Sequence, residues 1–174
     1  MTRSRGLGDV YKRQVKINER RVSSTWIREA LAKSEFELAE ELLGRPYTFS
    51  GKVVYGNQLG RTIGIPTANL WMPKQRLPIQ GVFAVKCKLV DRHLYGIANM
   101  GTRPTVDGES PVLEVHLFDF DQNIYGQRLE IEFIKKIRDE RKFDNINLLK
   151  QQIHKDIDIA CLLYTSDAAD EFSC

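Results

Sequence analysis

"GVFAVKCKLVDRHLYGIANM", residues 81–100, decides the fold. Its first half alternates, with Phe83, Val85, Cys87 and Leu89 on one side and Lys86 and Lys88 on the other. A period of two marks a strand with one face buried. Asp91-Arg92-His93 then turns the chain into a second apolar run, "LYGIANM". The same pattern recurs on both sides. "YTFSGKVVY" (47–55) reads as a strand, and a shorter one spans about Thr67 to Trp71. In "PVLEVHLFDF" (111–120), Leu113, Val115 and Leu117 stand opposite Glu114, His116 and Phe118. Asp121-Gln122-Asn123 suits a hairpin turn, and "QRLEIEFIKKIR" (127–138) is the returning strand. About six short strands joined by turns predict a mainly β fold, a small closed antiparallel barrel. Closure leaves no exposed edge.

Helical signals flank the strands. Thr25 to Lys33 carries Ile27 and Leu31 on one face. Ser34-Glu35-Phe36-Glu37 has the spacing of a capping box, and Phe36, Ala39 and Leu43 continue an apolar stripe. Gly44 is a natural stop and Pro46 prevents continuation. A helical hairpin therefore occupies residues 15–44, and a second unit begins near Arg45. A last helix is expected from about Asn145 to Asp158, capped by Asp144 or Asn145. Its apolar stripe is Ile146, Leu149, Ile153 and Ile157. Residues 1–14 and 160–174 show no sustained apolar period. Their segments "VYKRQ" and "LLYTSDAADE" resemble peptides translated from sequencing-adapter DNA. Both ends are expected to be non-native or disordered tails, leaving 45–159 as the barrel unit.

Composition narrows the function. A net charge of +3 over 174 residues is too small to argue for nucleic acid by itself. A small basic barrel that binds single strands needs exposed aromatics along a basic groove, whereas the aromatics here mostly alternate with polar residues inside strands. No apolar run approaches the length of a membrane span, and the N-terminus has no signal-peptide pattern. Cys87, Cys161 and Cys174 fit neither a metal spacing nor a disulfide framework. A reducing, cytoplasmic setting is expected.

The chemistry-bearing candidates lie around "GNQLGRTIGIPTANL" (56–70). The spacing is not that of a Walker loop, and arginine stands for its lysine. Gly56, Gly60 and Gly64 nevertheless let backbone amides approach an anion, and Arg61 adds a charge. Pro66 fixes the entry to Thr67, whose hydroxyl can ligate a hard cation such as magnesium. Asn69, two residues on, shares that strand face. A plain glycine-rich hairpin leading into an edge strand has the same pattern. Glu114 is either a solvated outer-face carboxylate or an acceptor for a hydroxyl proton. "NMGTRPT" (99–105) reads as a structured loop between strands. His93, His116 and His154 are too scattered to suggest a metal site.

Taken together, "GKVVYGNQLGRTIGIPTANL", "GVFAV", "NMGTRPT", "LEVHLFDFDQNIYGQRLEIEFIKKIRDERKF" and "LLKQQIHKDI" resemble the riboflavin kinase domain, the C-terminal half of the bacterial bifunctional riboflavin kinase/FAD synthetase. The resemblance covers about Leu43 to Asp158 in the family order. It implies a six-stranded Greek-key barrel with a C-terminal helix, and transfer of the ATP γ-phosphoryl group to riboflavin to give FMN. It further implies that Thr67 and Asn69 hold magnesium and the ATP phosphates, and that Glu114 is the catalytic base. The Gly56–Gly64 loop would fold over the nucleotide. Gly81, Val82, Phe83, Arg138, Arg141 and Phe143 would lie near the substrates. "VSSTWIR" (22–28) resembles a motif of the adenylyltransferase half, where Ser23, Ser24, Thr25 and Arg28 match phosphate-holding residues. The rest of that half has no counterpart, so FAD synthesis is not expected. The competing expectations are a flavin- or nucleotide-binding barrel without catalysis, and a single-strand-binding barrel.

Overall fold

The computed structural model describes residues 16–17, 20–73, 77–105 and 108–167. In chain order the elements are β1 (Lys16–Ile17), β2 (Arg20–Arg21), α1 (Ser24–Ala32), α2 (Phe36–Leu43), β3 (Thr48–Val54), α3 (Leu59–Thr62), β4 (Ala68–Leu70), β5 (Gly81–Leu89), β6 (Arg92–Thr105), β7 (Gly108–Leu117), β8 (Arg128–Arg138) and α4 (Ile146–Asp167). The six strands β3 to β8 close into an antiparallel barrel in the order β3-β4-β7-β6-β5-β8, and β1 and β2 form a separate ribbon.

The alternation that predicts the strands also fills the barrel. Phe83, Val85, Cys87 and Leu89 point inward and meet Met100, Leu113, Val115, Leu129 and Ile131 in one core. Each apolar side chain of this size is worth about 1.5–3 kcal/mol when fully buried. A slip of one residue would move a whole set to the outside, so the register is firmly fixed. The buried Cys87 thiol has its pKa pushed up to about 12 by desolvation and stays neutral.

The helical hairpin closes one end of the barrel. Ala30, Leu31, Phe36, Ala39 and Leu42 join the barrel core. Phe36 stacks on Phe133 with ring centroids 6.1 Å apart and meets the edge of Phe83 at 5.7 Å. α1 is capped by Ser23, whose hydroxyl accepts from the Trp26 amide at 3.2 Å. Gly44 ends α2 in the left-handed conformation, φ 70°.

Four local expectations change. The capping box does not form: Ser34 has φ 61°, its buried hydroxyl has no partner, and Glu35 occupies the cap position of α2 without a side-chain bond. A tight turn, in which the Ser34 amide donates to Leu31 and the Glu35 amide to Ala30, takes its place. "NMGTRPT" is strand rather than loop, because β6 runs on to Thr105 and pairs with β7 down to Thr105↔Gly108. The 56–66 loop contains the single turn of α3. The last helix does not end near Asp158 but continues to Asp167. Ala160 and Tyr164 are buried against Ala84 and Ile97, and the Tyr164 hydroxyl reaches the carbonyls of Val85 and Gly96, each at 2.9 Å. Residues 160–167 therefore continue the helix; 168–174 and 1–15 lie outside the described residues.

Candidate active site

The register builds a row of side chains across the barrel's outer wall. Asn69 on β4 pairs with Glu114 on β7, Glu114 with Asn99 on β6, Asn99 with Val82 on β5, and Val82 with Arg138 on β8. Their neighbours Leu70, Leu113, Val115, Ala98, Met100 and Phe83 fill the interior, so alternation turns the row outward. Glu114, Asn99, Val82 and Arg138 of this row floor a cleft of about 440 Å³, while Asn69 at the end of the row is buried. Ile63 and Ile65 wall one side, Phe143 and the α4 residues Leu149 and Ile153 the other. Asn145 caps α4 there, accepting from the Leu148 amide at 3.0 Å.

Thr67 lines this cleft and also a second cavity of about 340 Å³ at the barrel mouth, where Arg61, Gln58 and Tyr125 lie. Thr67 thus stands on the divide between the two spaces. The loop above it is tightly seated. A Cβ on Gly56 would fall 2.3 Å from the Asn69 amide, and one on Gly60 would fall 2.2 Å from the Ile65 carbonyl. Gly64 holds φ 79°. Gly56→Ala is therefore expected to displace the Asn69 amide. The predicted signature is a sharp loss of activity with a thermal midpoint close to wild type, measured on the same preparation.

Glu114 is partly buried and forms an ion pair with Arg103, 3.3 Å from guanidinium nitrogen to Oε1. Burial raises its carboxyl pKa above the ordinary glutamate value, and the charge of Arg103 opposes that shift. Arg103 also donates to Asn57 of the glycine loop at 3.5 Å. His116, two residues beyond Glu114, has Nδ1 2.8 Å from the Pro66 carbonyl. A carbonyl only accepts, so Nδ1 carries the proton. Burial lowers the imidazole pKa, and the neutral ring fixes the residue that leads into Thr67.

The remaining predicted residues divide. Val82, Arg138, Arg141 and Phe143 line the cleft. Phe83 does not: its ring is fully buried inside the barrel on the opposite face of β5. Gly81 is buried in the strand with φ 124°, and a Cβ there would strike the Arg138 carbonyl at 2.5 Å; it is not among the residues lining the cleft. Arg61 faces the second cavity, not Glu114. Arg138 is committed to Asp156, with Nε 3.0 Å from both carboxylate oxygens and a guanidinium nitrogen at 2.8 Å. Gln152 donates to Asp156 at 2.8 Å and accepts from Arg141, whose guanidinium lies 4.7 Å from the Phe143 ring centre. This network ties α4 and the 139–145 segment to the barrel.

Sequence reading missed Asn99, Arg103 and Asp156. Asp156 carried a usable signal: it falls three residues after Ile153 on the helix's apolar stripe, where a carboxylate needs a buried partner.

The riboflavin kinase (flavokinase) family profile matches residues 43–163, every barrel strand and most of α4. The chain belongs to the riboflavin kinase family. It is 54% identical over 151 residues to the bifunctional riboflavin kinase/FMN adenylyltransferase of Haemophilus influenzae, covering 86% of this chain and 49% of that protein. It is 49% identical over 137 residues to that of Escherichia coli K12, covering 78% and 44%. A crystal structure described as a macrolide-efflux protein from Streptococcus pneumoniae matches with a TM-score of 0.76 at 37% identity, over 84% of this chain and 49% of that one. The chain spans about half the length of the curated relatives it matches. Among the described residues no helix is long and apolar enough to cross a membrane.

Proposed function

We propose that this riboflavin kinase barrel transfers the γ-phosphoryl group of ATP to the 5′-hydroxyl of riboflavin, giving FMN and ADP. The observation that carries the reading is that Glu114 and Thr67 line one cleft, with Asn69 paired to Glu114 across adjacent strands just behind it. The apolar cleft suits the flavin ring, and the cavity at the barrel mouth suits the nucleotide, with its phosphates reaching Thr67 on the divide.

Phosphoryl transfer asks a protein chiefly for alignment and charge neutralisation. Glu114 accepts the proton of the 5′-hydroxyl as that oxygen attacks the γ-phosphorus. The new O5′–P bond forms, the bond from the γ-phosphorus to the bridging oxygen breaks, and ADP leaves with the electron pair. Neutral His116 holds Pro66, and through it Thr67, in place. The Gly56 loop presses Asn69 into position.

Thr67 and Asn69 offer two neutral oxygens. Among the described residues no group of three or more His, Cys, Asp or Glu side chains could hold a metal. That donor set fits magnesium arriving on ATP, since the ion keeps waters and takes few protein oxygens. When bound it supplies neutralisation of the phosphate charge. The adenylyltransferase half present in the longer relatives would be this chain's natural partner, and FAD synthesis is not assigned to the chain itself.

Incubation with riboflavin, ATP and magnesium, resolved by chromatography, tests the reading. FMN accumulating over many turnovers is expected. Riboflavin binding without FMN would leave a binding module and contradict the proposal.

A further inference from the structure

Asn99 stands between Glu114 and Val82 in the row across the outer wall, paired by register with each. Its Oδ1 is buried in the cleft wall without a hydrogen-bond partner. A desolvated amide oxygen left without a donor is rare in a folded protein, because water is lost with nothing in exchange. Its register neighbours do not answer it. Val82 has no polar group, and Glu114 as a carboxylate only accepts. Two acceptors therefore sit side by side on adjacent strands, with Cβ atoms roughly 4.5–5.5 Å apart as in any directly opposed pair.

A ligand that fits this pair brings two donors at that spacing. A polyol chain does so, with a hydroxyl on each carbon. We propose that Asn99 is a substrate-orienting residue that accepts a hydrogen bond from a secondary hydroxyl of the ribityl chain, at 3′ or 4′, while Glu114 takes the 5′-hydroxyl. The inference rests on the riboflavin kinase reading above. The arrangement runs the chain along the wall from Glu114 toward Val82 and sets the flavin ring at the Phe143 end of the cleft. Asn99 thereby selects for a hydroxylated side chain and aims its terminal oxygen at the base.

The test is a cycle between protein and substrate. kcat/KM is measured for riboflavin, 3′-deoxyriboflavin and 4′-deoxyriboflavin, with wild type and Asn99→Ala. Wild type is expected to lose about 10-fold or more on one deoxy analogue. Asn99→Ala should lose a similar factor on riboflavin and nothing further on that analogue. Multiplying losses would overturn the proposal. So would a wild type indifferent to both deletions, a comparison that needs no variant. Because the substitution removes a buried unpartnered atom, Asn99→Ala should melt no lower than wild type. Should wild type fail to phosphorylate riboflavin at all, the functional reading falls and this role with it. If it phosphorylates riboflavin but the cycle is multiplicative, the role of Asn99 alone is lost.

Discussion

Replacing Glu114 with glutamine is expected to leave riboflavin and nucleotide binding nearly unchanged while turnover falls by about 10²-fold or more. Glutamine keeps the size and the acceptor oxygen but takes no proton. The partial burial that places Glu114 in the cleft floor also gives the reaction its pH dependence. The base works only when ionised, so the rate falls as pH drops through the folded pKa. Burial outweighs Arg103 and lifts that pKa above the ordinary glutamate value. The acidic limb of kcat/KM should therefore lie above the usual glutamate range and vanish in Glu114→Gln. For stability the sign is the reverse of a salt-bridged acid. The fold favours the protonated form, and this contribution fades as pH rises through the folded pKa. Retention of full turnover in the glutamine variant would remove Glu114 from the role of base.

The largest stability effect is expected at Asp156. Its side chain is 1% exposed and accepts three contacts from Arg138 and one from Gln152. Asp156→Ala would leave the Arg138 guanidinium, 19% exposed, without its partner. Breaking a buried pair on one side costs about 3–5 kcal/mol, and the residual hydration of Arg138 puts the expected loss near the lower figure, about 3 kcal/mol. The double variant Arg138→Met with Asp156→Leu removes both charges and should recover most of the thermal midpoint. The single variant should also raise KM for riboflavin, because the same network holds α4 and Phe143 against the cleft. Denaturant titration and steady-state kinetics on one protein series check both halves. A loss below about 1 kcal/mol, the value typical of an exposed pair, would contradict the buried-network account.

What was legible in the sequence follows the strength of each periodic signal. β5, β7 and β8 alternate over many residues, so their inward faces could be assigned, and those faces fix the barrel's register. Alternation equally set Glu114 apart from Leu113 and Val115. It could not say whether the set-apart face was bathed in solvent or roofed, because the roof comes from α3, the 139–145 segment and α4, far away in sequence. The long pairing of β6 with β7 was hidden because glycine and proline in "NMGTRPT" look like turn chemistry; tertiary pairing overrode that local preference. Ser34 shows the same conflict. Its spacing to Glu37 suits a capping box, but the tight turn between α1 and α2 needs a left-handed residue at that point. Phe83 was named near the substrates through motif resemblance, though its own alternation already placed it inside. Asn99 could not be found from pattern alone. Its meaning comes from an oxygen left without a donor, which only the packed structure reveals.

The most direct measurement is a crystal structure of the chain with riboflavin, ADP and magnesium. The account predicts the flavin in the cleft beneath α4, its 5′-oxygen within hydrogen-bonding reach of the Glu114 carboxylate, and the nucleotide at the barrel mouth beyond Thr67. A flavin seated at the barrel mouth, or a 5′-oxygen turned away from Glu114, would contradict it.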